Sequence, residues 1–161
     1  MTPRRPKDIG TAAESAVVKY LQANGFNQAE RRALRGQFDV GDITGTPGLI
    51  WEIKGGDAAR NASDAQIESW LFETETERLN AAADIGVLVV VRPRKNVRDW
   101  WAAMWGGDFA SLYAGLYQRY ALDIPIRTQL HHVVDLLRLN GYGQPHDPPD
   151  LDGDRVVTNT A

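Results

Sequence analysis

The sequence predicts an α/β fold in which a mixed central sheet is flanked by helices. Residues 85–91 form an unbroken apolar run, which is typical of a central strand covered on both faces. Residues 38–43 and 49–54 have the pattern of two short strands joined by a Pro-Gly turn, and residues 11–24 carry apolar side chains at helical spacing. The predicted order is helix, strand, strand, helix, strand, strand, helix, which indicates an α/β sandwich.

The first predicted helix, residues 11–24, has both a start signal and a stop signal. Thr11 and Glu14 have the spacing of a capping box, in which each side chain bonds to the backbone N–H of the other residue. Gly25 is placed to end the helix, because glycine adopts the left-handed conformation without strain. The apolar stripe expected to face inward is Val17, Val18 and Leu21.

The next two elements form a predicted hairpin around the turn at residues 46–48. Glu52 and Lys54 are two residues apart in the second strand, so both side chains lie on one face of it. Charged residues in so apolar a strand are costly unless they have a role. The first strand brings Asp39 or Asp42 beside them. A two-residue turn favours Asp39 on the face of Glu52, whereas a bulge at a nearby glycine favours Asp42.

The rest of the chain continues the alternation of helices and strands. After the hairpin, the predicted elements are a helix over residues 63–83, strands over 85–91 and 99–105, and helices over 108–120 and 128–139. Ser63 and Asp108 are the expected N-caps of the first two of these helices. The side chains expected to face inward from the 63–83 helix are Ile67, Trp70, Leu71 and Leu79.

Composition limits the class of protein. The 161 residues suit one domain, and 43% hydrophobic residues exclude a disordered chain. The absence of cysteine excludes disulfides, cysteine-based zinc sites and thiol catalysis. No apolar run has the roughly 18 residues of a membrane span, and no signal peptide is seen, so we expect a cytoplasmic protein without a membrane partner. We expect a flexible basic arm over residues 1–7, one domain over 8–141, and a disordered acidic tail over 142–161.

Charge is unevenly distributed along the chain. The formal net charge of −3 argues mildly against a polyanionic partner, yet local potential steers such a partner more than net charge does. Arg31, Arg32 and Arg35 precede the hairpin and either contact phosphate there or form a solvated face. A second basic group follows the central strand and comprises Arg92, Arg94, Lys95 and Arg98.

Three short motifs together resemble the PD-(D/E)xK nuclease superfamily, and within it the archaeal-type and phage Holliday junction resolvases. They are GTAAE at residues 10–14, GDI at residues 41–43 and WEIK at residues 51–54. The resemblance covers roughly residues 8–92 and implies a restriction-endonuclease-like fold. The proline that usually precedes the motif aspartate is absent: Gly41 precedes Asp42, and Phe38 precedes Asp39. We prefer Asp42, because an aspartate between glycine and an apolar strand residue fits the family better.

The resemblance also implies a site and an activity. Asp42 and Glu52 would hold Mg²⁺, or Mn²⁺ in its place, together with the backbone carbonyl of Ile53, and Asp39 is the alternative ligand. Mg²⁺ prefers oxygen ligands and is usually held by one or two carboxylates, water and substrate phosphate. Lys54 would orient the attacking water, help to ionise it or stabilise the developing charge. Glu14 would reach in from the first helix to hold a water molecule or a second ion.

The implied function is a Mg²⁺-dependent, structure-selective endonuclease that makes paired nicks in branched DNA as a homodimer. Two alternatives stay open at this point: another PD-(D/E)xK restriction-like or repair nuclease, and a nucleic-acid-binding module without turnover. Individual residues also have simpler roles available. In the simpler interpretation, Glu14 belongs only to the capping box, and Glu52 with Lys54 is a surface ion pair of little energetic value.

Overall fold

The computed structural model describes residues 6–33, 39–115 and 123–145. It contains five helices and six strands in these ranges, with a short 3-10 turn at Val97–Asp99. The helices are α1 Pro6–Ala23, α2 Gly56–Arg60, α3 Asp64–Asn80, α4 Gly106–Ala114 and α5 Leu130–Leu139. The strands are β1 Glu30–Arg31, β2 Ile43–Thr44, β3 Leu49–Lys54, β4 Ile85–Val90, β5 Trp101–Trp105 and β6 Pro125–Gln129. None of the described helices is both long enough and apolar enough to cross a membrane.

Four strands form a mixed sheet in the order β3-β4-β5-β6. β3 and β4 are parallel and are connected through α2 and α3, while the β4–β5 and β5–β6 pairs are antiparallel. Every residue of β4 is buried, as the apolar run predicts for a strand with neighbours on both sides. The predicted mixed sheet flanked by helices is therefore confirmed.

Helices cover the two faces of this sheet unequally. On one face, α1 and α5 bury a large cluster that includes Val17, Leu21, Trp51, Val89 and Leu137. On the other face, α3 covers a smaller cluster, in which Ile67, Trp70 and Leu71 pack against Leu88, Val90 and Ala103. Leu79, expected to face inward, is instead 63% exposed, because Thr74, Glu77 and Arg78 occupy the buried side of this part of α3 and Leu79 points away from the sheet.

The turn before β3 forms as predicted, but the first strand of the hairpin is much shorter than residues 38–43. The N–H of Leu49 donates to the carbonyl of Thr46 at 3.0 Å, and Gly48 has a φ of 80°. β2 comprises only Ile43–Thr44 and pairs with β1 in a separate two-stranded sheet. Residues 39–42 form an irregular segment along the edge of β3, and residues 34–38 lie outside the described ranges.

The start of the first helix was predicted wrongly. α1 begins at Pro6, so Thr11 lies inside the helix, where its carbonyl accepts a hydrogen bond from the Ser15 hydroxyl at 2.8 Å. A residue within a helix cannot act as its N-cap, which rules out the capping box. The predicted end is confirmed: Gly25 has a φ of 94°, and the N–H of Phe26 donates to the carbonyl of Leu21 at 3.0 Å.

The last third of the chain differs from the prediction in three places. β6, at Pro125–Gln129, was not predicted. The N-cap of α4 is Trp105 and not Asp108, which lies buried in the first turn. Residues 142–145 extend the folded part beyond residue 141: the Tyr142 hydroxyl bonds to Asp84 at 3.2 Å, and the N–H of Gln144 donates to the carbonyl of Gly25 at 2.7 Å.

Candidate functional site

Asp42 is held against the edge of β3 by its backbone and its side chain together. Its N–H donates to the carbonyl of Trp51, and its carboxylate Oδ2 accepts from the N–H of Ile53, both at 2.8 Å. Lys54, the next residue, presents its carbonyl to the opposite side, where it accepts from the N–H of Val91 at 3.0 Å. Because strand residues direct their polar groups alternately to the two sides, the carbonyl of Ile53 faces the same edge as Asp42.

Glu52 and Lys54 lie side by side on the face of β3 that α3 covers. The Lys54 Nζ lies 2.6 Å from Glu52 Oε1 and 5.8 Å from the centre of the Trp70 ring. The side chains of Lys54 and Glu52 are only 24% and 12% exposed. They are therefore a largely buried pair and not the exposed surface ion pair of the simpler interpretation.

Two further carboxylates reach this site from α3, and the sequence analysis missed both. Glu73 Oε2 lies 3.1 Å from the Lys54 Nζ. Glu77, one helical turn later, is 4% exposed and interacts with Glu52. Its Oε2 is buried and has no hydrogen-bond partner among the described residues. The available signal was the spacing, since residues 70, 73 and 77 share one face of a helix.

The acidic groups of the site disfavour each other's ionisation. Burial, followed by the negative charge of Glu52, raises the pKa of Asp42 to about 7, although the N–H of Ile53 acts in the opposite direction. Burial, followed by the charges of Glu52 and Asp39, raises the pKa of Glu77 to about 8. Burial alone would lower the pKa of Lys54, but its hydrogen bond to Glu52 contributes to a net increase. The site therefore carries more negative charge than its own lysine balances.

Glu14 approaches the same edge from α1. Its Oε2 accepts a hydrogen bond from the Arg31 Nε at 2.8 Å, and Arg31 also bonds to the Thr11 hydroxyl at 3.4 Å. Glu14 thus bonds to β1 rather than back to its own helix. Its charge contributes to the raised pKa of Asp42, which places the two carboxylates near each other.

The structure distinguishes Asp42 from Asp39 by position. Gly41 has a φ of 86°, and an added Cβ there would lie 2.9 Å from the Ile50 side chain, so only glycine suits this bend. After the bend, Ile43 packs in the same cluster as Trp51, on the face opposite Glu52. Residues 39–42 do not pair with β3 as a strand, so neither predicted hairpin register forms, and the bend at Gly41 takes the place of the expected bulge. Asp39 is exposed, and its backbone carbonyl accepts a hydrogen bond from the Asn80 side chain at 3.1 Å.

The three arginines proposed to bind DNA do not form one described group. Arg31 pairs with Glu14, as above. Arg32 is partly buried, and its Nε has no hydrogen-bond partner in the described part of the chain. Arg35 lies outside the described residues.

Oxygen atoms dominate the possible cation ligands of the site. Within residues 6–33, 39–115 and 123–145, no group of three or more His, Asp or Glu side chains is arranged to hold a metal ion. Two carboxylates, Asp42 and Glu52, and the Ile53 carbonyl are a smaller set of the hard donors that Mg²⁺ uses. Comparisons with family models, curated proteins and solved structures each find no match for this chain.

Proposed function

We propose that this chain is a divalent-cation-dependent DNA endonuclease with a restriction-endonuclease-like fold. One observation carries the proposal: Asp42 is fixed on the backbone of Ile53 at the edge where Glu52 and Lys54 lie side by side. Two carboxylates and an amine at one strand edge suit phosphodiester hydrolysis, which needs an oriented water and compensation of charge on the phosphate. The motifs around these residues favour a structure-selective enzyme of the Holliday junction resolvase type.

Asp42, Glu52 and the carbonyl of Ile53 are the residues that would hold Mg²⁺ or Mn²⁺. The fit rests on the donor atoms: all three are oxygens, and the nearby Glu77 Oε2 is buried without a hydrogen-bond partner among the described residues. When bound, a divalent cation neutralises charge on the phosphate and makes water easier to ionise. Asp39, exposed and three residues away, would be at most an outer ligand.

Lys54 has the role that its surroundings define most clearly. Burial lowers the pKa of its amine, but the hydrogen bonds and charges of Glu52 and Glu73 raise it by more, which favours the protonated amine and a role as hydrogen-bond donor. A protonated amine beside the scissile phosphate orients water by hydrogen bonding and stabilises charge on the phosphate oxygens. Glu73, on the other side of the amine, holds it in place.

The proposed substrate is branched DNA, recognised by shape and phosphate rather than by base sequence. Arg31, whose side chain pairs with Glu14, and Arg32, whose backbone N–H donates to the carbonyl of Asp42, would contact phosphate there. Resolution of a four-way junction requires nicks on two opposed strands. We therefore propose a homodimer, in which each chain supplies one set of these residues.

Cleavage of a synthetic four-way junction tests the proposal. The wild type with Mg²⁺ or Mn²⁺ should make symmetric paired nicks, whereas the matching linear duplex stays intact. Lys54→Ala should slow nicking by about 100-fold or more, as loss of a charge-stabilising donor does in other enzymes. Lys19→Gln, an exposed lysine on α1, is the matched control and should cut normally. An intact junction with both cations would refute the proposal.

Two other outcomes would identify the alternatives. Equal cutting of duplex and junction would indicate a restriction-like or repair nuclease. DNA binding without any cation-dependent cutting would indicate a binding module on a nuclease-like fold. One observation favours the binding module: the described side chains include no group of three or more possible metal ligands.

A further inference from the structure

The face of the sheet that carries Glu52 and Lys54 continues on the far side of α3. Strand register places Lys54, Val90 and Trp101 in one row across this face, and Glu52, Leu88, Ala103 and Arg127 in the next. α3 lies over Leu88 and Val90 and so separates the carboxylates from β5 and β6. At the outer side of α3 and on the neighbouring strands lies a set of side chains that we call the aromatic–arginine patch: Phe72, Arg92, Trp101, Trp105 and Arg127.

Two guanidinium groups stack on one indole ring in this patch. The Arg92 Cζ lies 3.9 Å from the Trp101 ring centre, and the Arg127 Cζ lies 4.8 Å from it. Arg92 approaches from the end of β4 and Arg127 from β6. Arg92 donates to the carbonyl of Asp99 at 2.8 Å, and neither arginine forms an ion pair with a carboxylate in the ranges that the structure describes.

Stacking of this kind prepares arginine for phosphate. The flat face of a guanidinium rests on the aromatic ring, while its N–H groups point outward along the edge. Those edge donors match two phosphate oxygens. Trp101 thus orders the Arg92 and Arg127 side chains before a ligand arrives, which lowers the entropy lost on binding.

An exposed aromatic ring lies on the same side of the sheet, at the Trp105 end of β5. Phe72, on α3, is 58% exposed, and its ring centre lies 5.0 Å from that of Trp105. An open aromatic face suits stacking with an unpaired base, which is worth about 1–3 kcal/mol per base. Trp and Arg also favour protein interfaces. However, a two-fold contact with a second copy would set the same cations against each other, whereas a polyanion complements them.

We propose that the aromatic–arginine patch binds a DNA strand, with Arg92 and Arg127 on phosphates and Phe72 on an unpaired base. This inference rests on the proposed function in one respect, that the same DNA reaches the carboxylates. Strands lie about 4.8 Å apart, so Arg127 is about 14 Å, or three strand spacings, from Glu52. A branched substrate spans that distance, and base pairs that open at its crossover would supply unpaired bases.

Binding of fluorescently labelled DNA in EDTA tests the patch without any cleavage. The probes are a four-way junction, a linear duplex and a single strand of about 20 nucleotides, a length that covers several nucleotides on each side of the site. Arg127→Gln should weaken binding to all three about 3- to 10-fold and reduce the salt slope by about 1. Phe72→Ala should weaken binding to the single strand and the junction about fivefold or more, and to the duplex less.

Lys19→Gln is again the matched control, since it removes one exposed positive charge from α1, on the opposite side of the sheet. The Tm of each variant must equal that of the wild type, so that a change in binding does not reflect unfolding. Equal affinities for Arg127→Gln and Lys19→Gln would overturn the inference. It would also fall if Arg127→Gln changed only the oligomeric mass in light scattering, which would mark a protein-docking surface.

The two proposals fail separately. If the wild type binds DNA through Arg127 but never cuts, the endonuclease proposal falls and the patch stands. If the wild type cuts junctions and the Arg127→Gln and Phe72→Ala variants bind and cut DNA as well as the wild type does, the DNA-binding role of the patch is refuted and the endonuclease proposal stands.

Discussion

β3 has two faces that serve opposite purposes. Leu49, Trp51 and Ile53 turn into the larger core cluster and are at most 7% exposed. Glu52 and Lys54, which alternate with them, face carboxylates from α3. Burial of the apolar face stabilises β3, and this stability holds the mutually repelling acids in place on the polar face. Changes on the first face should therefore affect stability, and changes on the second should affect activity.

The largest effect should follow Trp51→Ala. Trp51 is fully buried, packs edge-on against Phe26 and donates its indole N–H to the Thr46 hydroxyl at 3.2 Å. Its loss should lower the free energy of unfolding by about 3–5 kcal/mol, measured by urea denaturation. Trp105→Ala, a half-buried tryptophan in the same sheet, is the control and should cost less than half as much. A cost below about 1 kcal/mol at Trp51 would contradict the division between the two faces.

On the polar face, Asp42→Asn should reduce nicking by about 100-fold or more, because one of the two carboxylates proposed to hold the cation loses its charge. The Asn oxygen still accepts from the N–H of Ile53, so stability should not fall. Asp39→Asn is the matched control, since it is the same change three residues away on an exposed side chain. A larger loss of nicking for Asp39→Asn than for Asp42→Asn would reverse the assignment of these two aspartates.

The pH dependence of stability should reveal the same repulsion. The pKa of Asp42 rises from 3.8 to about 7 on folding, and that of Glu77 from 4.5 to about 8. Both acids hold protons more tightly in the folded chain, so their contribution to stability is complete at low pH and is lost as pH rises from about 4 to 8. In EDTA, the free energy of unfolding should be lower at pH 8 than at pH 5.5 by at least about 1 kcal/mol. This difference corresponds to a Tm that is lower by about 2–4 °C.

Glu77→Gln is the internal control for that measurement. The amide removes a buried negative charge without changing side-chain shape, so the variant should be more stable than the wild type at pH 8 and show a flatter pH profile. The same pH slope in both proteins would mean that Glu77 does not titrate in this range.

The smallest effect should follow Arg31→Gln. The Arg31–Glu14 pair lies at the rim of the site, and its two side chains are 39% and 20% exposed. Solvent screens such pairs, so the free energy of unfolding should fall by only about 0.2–1 kcal/mol, and less at high salt. A cost above about 2 kcal/mol would place Glu14 and Arg31 among the groups that hold the fold together.

Features set by local chemistry could be predicted from the sequence. The turn at residues 46–48, the Ser63 N-cap and the helix end at Gly25 depend on neighbouring residues, and all three are confirmed. The preference for Asp42 over Asp39 rested on the resemblance, because the hairpin spacing left both aspartates open, and neither predicted register forms, since residues 39–42 are not a strand.

Features set by distant contacts could not be predicted. β6 has no alternating pattern and exists through its pairing with β5. The capping-box spacing at Thr11 was overridden because the residues before it extend α1 to Pro6, a favoured residue at a helix start. Glu73 and Glu77 could not be assigned to the site, since only the packing of α3 on β3 brings them close to Lys54 and Glu52.

The two ends of the described chain complete one core. Val17 and Leu21 of α1 pack in the same cluster as Leu130 and Leu137 of α5. At typical synthesis rates of about 5–20 residues per second, α1 leaves the ribosome on the order of ten seconds before α5 does. During that interval the apolar side of α1 lacks part of its cover and is open to chaperones. The core is therefore complete only after α5 has been synthesised, and a nascent chain stalled before residue 130 would be prone to aggregate.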